Sequence, residues 1–374
     1  MHAPASRSLS SLAAVAVTTL AAACSSADPE PAAPPEPGPR LALVDSVVLG
    51  DTGALTLGDL RNAGLHLDDG AIWVGDPQNG RIVRFARDGA PLSQVGRKGG
   101  GPGELRAPGP LVPTSDGSVA VWDYTAGKLA AFDTASGAPR WETKVREQAF
   151  PMQLQAVGDT IWMGVVSLQG NTGAMRVAVR DGAVSKLAPA PAEYAEGLAH
   201  SFPYSVALRF ADTLLVGYSG HHRIFLHHDD RRVDSLVVPH RLRRGVPPDL
   251  LARAKAGEYR GEGLGMENFV SSLSRAERLA DGFVALVHYD VHFDQRKPEG
   301  AEVDAWLTVL DPTFERACTD ARLPLVERAL PSLAFRGDTL FALEHVIGDE
   351  RAVPVLRAYV ISTDRCDWLP VERG

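Results

Sequence analysis

Five polar side chains stand at one register of this chain. Asp76, Asp123, Tyr218, His288 and Glu344 each follow a short apolar run that itself begins after a turn containing Gly or Asp, and Val165 holds the sixth such position. If they converged, the carboxylates would suit a calcium ion and the imidazole a zinc ion or a general base. A metal-dependent hydrolase or lyase is therefore one reading, with calcium or zinc as its cofactor. A carboxylate after a strand also has a structural use, because it accepts the backbone N–H groups of the turn that follows. That use fits Asp76 and Asp123, whose surroundings repeat. Tyr218, His288 and Glu344 depart from the repeated wording and are the stronger ligand-contact candidates.

Other reactive groups offer less. His221-His222 and His227-His228 flank the run Arg223 to Leu226, and adjacent histidines on a strand point to opposite faces, so neither pair is expected to close on one compact site. Neither Cys318 nor Cys366 has the paired Cys or His spacing of a metal site. The glycine run Gly96 to Gly103 lacks the Gly-Lys-Ser/Thr ending and the helix of a phosphate-binding loop. No catalytic residue and no resident cofactor or metal is assigned on this basis.

The elements that carry these residues repeat. Asp69-Gly70, the strand Ala71 to Val74, the turn Pro77 to Gly80, the strand Arg81 to Ala86, a turn at Arg87 to Gly89 and a strand Pro91 to Gly96 spell one unit. Residues 108–145 repeat it, and weaker copies begin at Gly158, Ala211, Ala280 and Gly337. Short strands at a period of about 40–50 residues, broken by Gly and Asp turns, are the pattern of four-stranded blades around a channel. The expected fold is all-β, a six-bladed β-propeller. The first unit and the segment Gly96 to Leu105 resemble the NHL-type repeat and the inter-blade signature of bacterial six-bladed propellers related to it. That resemblance implies an architecture and a binding or assembly role, and no reaction.

Two segments stand outside the repeats. Leu41 to Leu49 is an isolated strand, expected to close the ring against Val353 to Ile361 or Cys366 to Val371. Between blades four and five, residues 241–270 are longer than a connection needs: a short helix with Asp249 as N-cap and Gly257 as its stop, then a mobile loop over Glu258 to Glu267. Long loops on a rigid scaffold commonly bind, though an insertion can also be without a role.

The N-terminus reads as an address. One basic residue, Arg7, precedes a charge-free stretch from Ser8 to Ala23 that ends at Cys24, the pattern of a secretory signal peptide over 1–23. Leu20 to Cys24 resembles a bacterial lipobox, with the bulky residue one place further from the cysteine than usual. Six prolines in residues 25–40 make a semi-stiff tether. The organisation expected is a signal peptide, a lipid-attachment Cys24 with a tether over 24–40, and a propeller over 41–374. A net charge of −8 opposes a nucleic-acid partner, and the basic run His240 to Arg244 is a local exception read as solvated loop. Export makes a disulfide between Cys318 and Cys366 possible, whereas equivalent positions in neighbouring blades would sit too far apart for one, which favours two thiols. The function expected is that of an exported, membrane-anchored binding or scaffolding module for protein or glycan partners at the cell envelope.

Overall fold

The computed structural model describes residues 38–374 apart from 51–52, 54, 61–62, 69, 146–149, 167–171, 193, 203, 229–230, 259–267, 294–301, 327–330 and 348–351. Cys24, the signal segment and most of the tether lie outside the described residues, as does nearly all of the loop expected after Glu258.

The chain is a six-bladed β-propeller, and every blade is an antiparallel meander. Each copy found in the sequence marks the hairpin between a blade's innermost strand and its second strand. The second strands are Ile72–Asp76, Ser118–Asp123, Thr160–Gly164, Thr213–Tyr218, Val284–His292 and Thr339–Ile347. These hairpins need a left-handed residue, supplied by Gly117, Gly158 and Gly337 (φ 55 to 77°) and, in blades four and five, by Ala211 (φ 44°) and Asp281 (φ 55°).

Successive side chains of a strand point to opposite faces, so each blade feeds two interfaces. Val284 and Leu286 pack towards blade four, whereas Ala285, Val287 and Tyr289 pack towards blade six. Six apolar clusters result among the described residues, one for each neighbouring pair of blades. The pair formed by blades six and one is among them, with Leu343 and Leu356 against Leu65 and Val74. The ring is closed. Burial at about 1.5–3 kcal/mol per large aliphatic side chain makes these interfaces the main source of stability.

Closure uses the isolated N-terminal strand. Arg40–Val48 is the outer strand of blade six and pairs antiparallel with Ala352–Ser362, from Arg40 opposite Ser362 to Val48 opposite Val355. The alternative partner has another use. After blade six the tail runs back along the outside of the ring: Leu369–Pro370 adds to the outer strand of blade five (Arg316–Arg322), and Glu372–Arg373 to that of blade four (Arg231–Val237). Cys318 and Cys366 are bridged, with 5.5 Å between Cα atoms. The expectation of two thiols rested on equivalent places in two blades, and it fails because Cys366 belongs to this returning tail, which passes directly over blade five.

Closure by this strand has a measurable consequence. Removal of residues 1–37 is expected to leave the melting temperature unchanged, whereas removal of 1–50 lowers it by several degrees, because the outer edge of blade six loses its ladder. Equal melting temperatures in differential scanning calorimetry would show that the ring holds without Arg40–Val48.

Candidate functional site

The rim that carries the five sequence candidates is also where the chain crosses from blade to blade. Asp76 is fully buried and accepts the N–H groups of Gly58 (3.3 Å) and Asn79 (3.2 Å) and the Arg81 guanidinium (3.1 Å). Asp123, equally buried, accepts from the backbone of Arg106 (2.7 Å), Ala107 (3.1 Å), Thr125 and Ala126. Glu344 accepts from Val326 N–H (2.9 Å) and the Arg357 guanidinium (2.7 Å). Each of these carboxylates accepts from the segment entering its own blade, and its other bonds go to the turn or strand that follows it.

None of the five lines the cavity of about 60 Å³ in the channel, which Leu65, Leu154, Arg275, Tyr289 and Ser332 surround. Among the described residues no group of three or more His, Cys, Asp or Glu is arranged to hold a metal ion. The Tyr218 hydroxyl is buried against Gly173, where a Cβ would stand 1.7 Å from it, and it finds no hydrogen-bond partner among the described residues.

His288 is placed differently. Counting from the turn put it where the blade-entry carboxylate belongs, but on its strand, Val284–His292, that role falls two residues further on, to Asp290. Asp290 accepts from Arg244 N–H (3.1 Å), the Ser271 hydroxyl (2.6 Å) and the Trp306 indole (2.9 Å). His288 thereby faces blade four across an open cleft.

The cleft is roofed by the excursion that leaves blade four after Val237. Its first turn is tied down by Asp320, a fully buried carboxylate on the outer strand of blade five, which accepts the N–H groups of Arg241, Leu242 (2.8 Å) and Arg243 (3.4 Å) and the Arg243 Nε (3.1 Å). The remaining Arg243 reach goes to the Val238 and Pro239 carbonyls (3.1 and 3.2 Å). This run is therefore structural at its centre and not the solvated loop its charge suggested. The base of the excursion is closed by Gly245 and Ser271, each donating its N–H to the other residue's oxygen, Ser271 Oγ and Gly245 carbonyl, at 2.9 Å. Gly245 is required twice over: its φ is 71°, and a Cβ would lie 2.3 Å from the His240 ring.

Beyond that base, Leu250–Ala256 is helical and ends at Gly257 in the left-handed conformation, as expected. Asp249 stands at the N-cap but its side chain caps nothing. A second excursion, between blades three and four, carried no sequence signal beyond a run of Ala and Pro. Its Tyr194, Leu198 and Phe202 pack with Leu250, and Glu196 reaches Lys255 (3.7 Å).

Under these two excursions the cleft has two chambers. The outer, about 310 Å³, is lined by Leu198, His221, His222, Pro248, Leu251 and Lys255. The inner, about 160 Å³, shares His221, His222 and Pro248 and extends to His240, Arg243 and His288. The adjacent pair His221-His222 thus joins one site after all. The two residues sit in the turn after Thr213–Tyr218 rather than on a strand, and their rings stack at 4.9 Å and 15°. His221 Nδ1 accepts the Arg223 N–H (3.0 Å).

The fold has been solved elsewhere, although no family model and no curated protein matches the sequence. It is similar to a DUF4221 family member from Bacteroides vulgatus, with 11% identity, a TM-score of 0.57, and 88% of this chain and 99% of that chain covered. It is also similar to a "putative exported protein" from Bacteroides fragilis (10%, 0.54, 86% and 95%) and to the WD40 repeats of RRP9 (13%, 0.50, 86% and 100%). These likenesses show a propeller. At such identities they show the fold alone.

Two tests address this rim. Burial first, then Arg243 and His240, hold the His288 imidazole well below its usual pKa, and burial and Arg275 bring His66 down to about 4. Both are depressed in the fold, so the unfolded chain takes up protons first: their stabilisation is complete above about pH 6.5 and is lost as pH falls. Urea unfolding between pH 6.5 and 4.5 is expected to lose about 1.4 kcal/mol per pH unit for each such histidine, less in His66→Gln and His288→Gln. An unchanged slope in both variants would show that they titrate normally in the fold. Asp320→Ala strands three N–H groups and Arg243 together. It is expected to cost about 3–5 kcal/mol and to make the excursion cleavable before the blades, as read by urea unfolding and limited proteolysis.

Proposed function

We propose that this protein is an exported, lipid-tethered binding module of the cell envelope, distantly related to NHL-type propellers, that takes a protein or glycan partner in the cleft between blades four and five. The observation that carries the reading is the construction of the cleft. Two inter-blade excursions pack on each other over one blade junction, and buried carboxylates fix the larger one at its entry. The crossing between Val237 and Ser272 is longer in sequence than any other between blades, so the ring is most elaborated here. Loops held rigid on a preformed scaffold are where binding commonly resides.

The envelope address rests on the wording around Cys24 and the proline tether, with support from the exported assignment of one fold neighbour. No helix among the described residues is long and apolar enough to cross a membrane. The five-residue candidate rim contributes to the reading through His288 and through the ring of Tyr218, both of which line the inner chamber. Asp76, Asp123 and Glu344 hold backbone, and Tyr218 points its hydroxyl into the junction of blades three and four.

The test compares two tryptophan substitutions in the full-length, detergent-solubilised protein. Ala252→Trp obstructs the outer chamber, and Ser115→Trp bulges from a hairpin on the opposite rim. Recovery of envelope components is expected to fall by about tenfold or more with the first and to hold with the second. Equal recovery from both would move binding away from this cleft. In the same strain, Cys24→Ser should abolish lipid labelling and membrane partitioning, and continued partitioning without label would overturn the anchor.

A further inference from the structure

We infer that the inner chamber is a subsite for one uncharged pyranose ring of a glycan. The inference rests on the cleft being the binding face, and it selects between the two partner classes left open above.

Size comes first. The chamber of about 160 Å³ matches the roughly 150 Å³ known to admit one benzene ring, so it holds a single six-membered ring and little more. The inner chamber adjoins the outer one through His221, His222 and Pro248, so a ring seated inside can continue into a longer chain outside. A closed pocket for a free metabolite would lack that opening.

The lining has two characters. One side is aliphatic, from Ile224, Val238, Val246 and Leu273; the other carries imidazoles. Arg243 is paired with Asp320 and spends Nη2 on two carbonyls, and the oxygens of Asp290 already accept from the backbone N–H of Arg244, the Ser271 hydroxyl and the Trp306 indole. A cationic or anionic group entering here would find no uncommitted opposite charge in these pairs, and burying it unpaired is costly.

His288 supplies the decisive feature. It is only 6% exposed, lines the chamber, and its Nδ1 is buried with no hydrogen-bond partner among the described residues. A neutral imidazole offers one donor and one acceptor, and leaving such a nitrogen unsatisfied costs about 1–3 kcal/mol. A hydroxyl is both donor and acceptor, so it satisfies the ring whichever nitrogen carries the proton. A pyranose presents C–H groups on a face and hydroxyls around an edge, matching the aliphatic side and the imidazole side together. A phenylalanine or leucine side chain would fill the volume and leave His288 unsatisfied, and a tyrosine would bring a single hydroxyl at the tip of its ring where a pyranose carries several along an edge.

The probe is a set of simple methyl glycosides (glucoside, galactoside, mannoside and N-acetylglucosaminide) titrated into the full-length, detergent-solubilised protein. Saturation-transfer NMR reads the sugar ring protons, and ¹⁵N spectra read the imidazoles. At least one glycoside is expected to bind at millimolar concentration and to shift the His288 nitrogens. Its affinity is expected to fall by about tenfold or more in His288→Leu and in Val246→Trp, which fills the chamber from the excursion and leaves the strand sequences unchanged.

No binding by any of the four glycosides, or equal affinity in wild type and both variants, overturns the pyranose assignment. If that happens while Ala252→Trp still abolishes envelope recovery, the cleft keeps its role with a protein partner. If Ala252→Trp has no effect on recovery, the cleft reading has failed independently of the sugars.

Discussion

Where a propeller chain crosses from one blade to the next it runs over the rim without a ladder, and its buried N–H groups need acceptors from elsewhere. In this protein a carboxylate on a second strand supplies them. Asp76, Asp123, Asp290 and Glu344 sit in four different blades, and each accepts backbone N–H groups from the segment entering its own blade. A carboxylate has two oxygens and can accept several such bonds at once, so each crossing is fixed where it would otherwise fray. The cleft is an elaboration of the same device. The crossing into blade five is the longest, and it is held at two points: Asp290 takes the usual place and Asp320 is added from the outer strand.

Much of this was legible in the sequence, for local reasons. The hairpins were visible because a tight turn demands Gly or Asp, and the strands because four to six apolar residues stood between such turns. The closing strand could be found because it was a strand without a partner. What escaped depended on length or on distant contact. His288 was aligned with Asp76 by counting from a turn, but blade five places the equivalent carboxylate two residues further along the strand, at Asp290. His221 and His222 were read with strand alternation although they lie in a turn. Asp320 sits in a left-handed conformation on an outer strand and acts on residues 77 to 79 positions away, which no local pattern reports.

The outer edge of blade five is a meeting point. Cys318 binds the returning tail through Cys366, Asp320 holds the excursion, and Asp367, next to Cys366, pairs with Arg241. Gly38 packs so closely on Thr319 to Ala321 that a Cβ there would stand 2.6 Å from the Thr319 carbonyl. The beginning of the propeller, its end and its most elaborate loop are thus secured on one strand of seven residues. Strain or disorder introduced into Arg316–Arg322 would be felt at all three.

The closing strand also sets an order of events during synthesis. Chains emerge N-terminus first, so Arg40–Val48 is the first propeller strand made, and its partner Ala352–Ser362 is among the last. Five blades can stack on the nascent chain, but the cluster joining blades six and one, with Leu65 and Val74 against Leu343 and Leu356, waits for the final tenth of the protein. Until Ala352–Ser362 is made, blade six lacks its third strand and Arg40–Val48 has no ladder to join. The first strand of the propeller therefore waits unpaired while five blades are built, and the ring closes only when both of its ends exist.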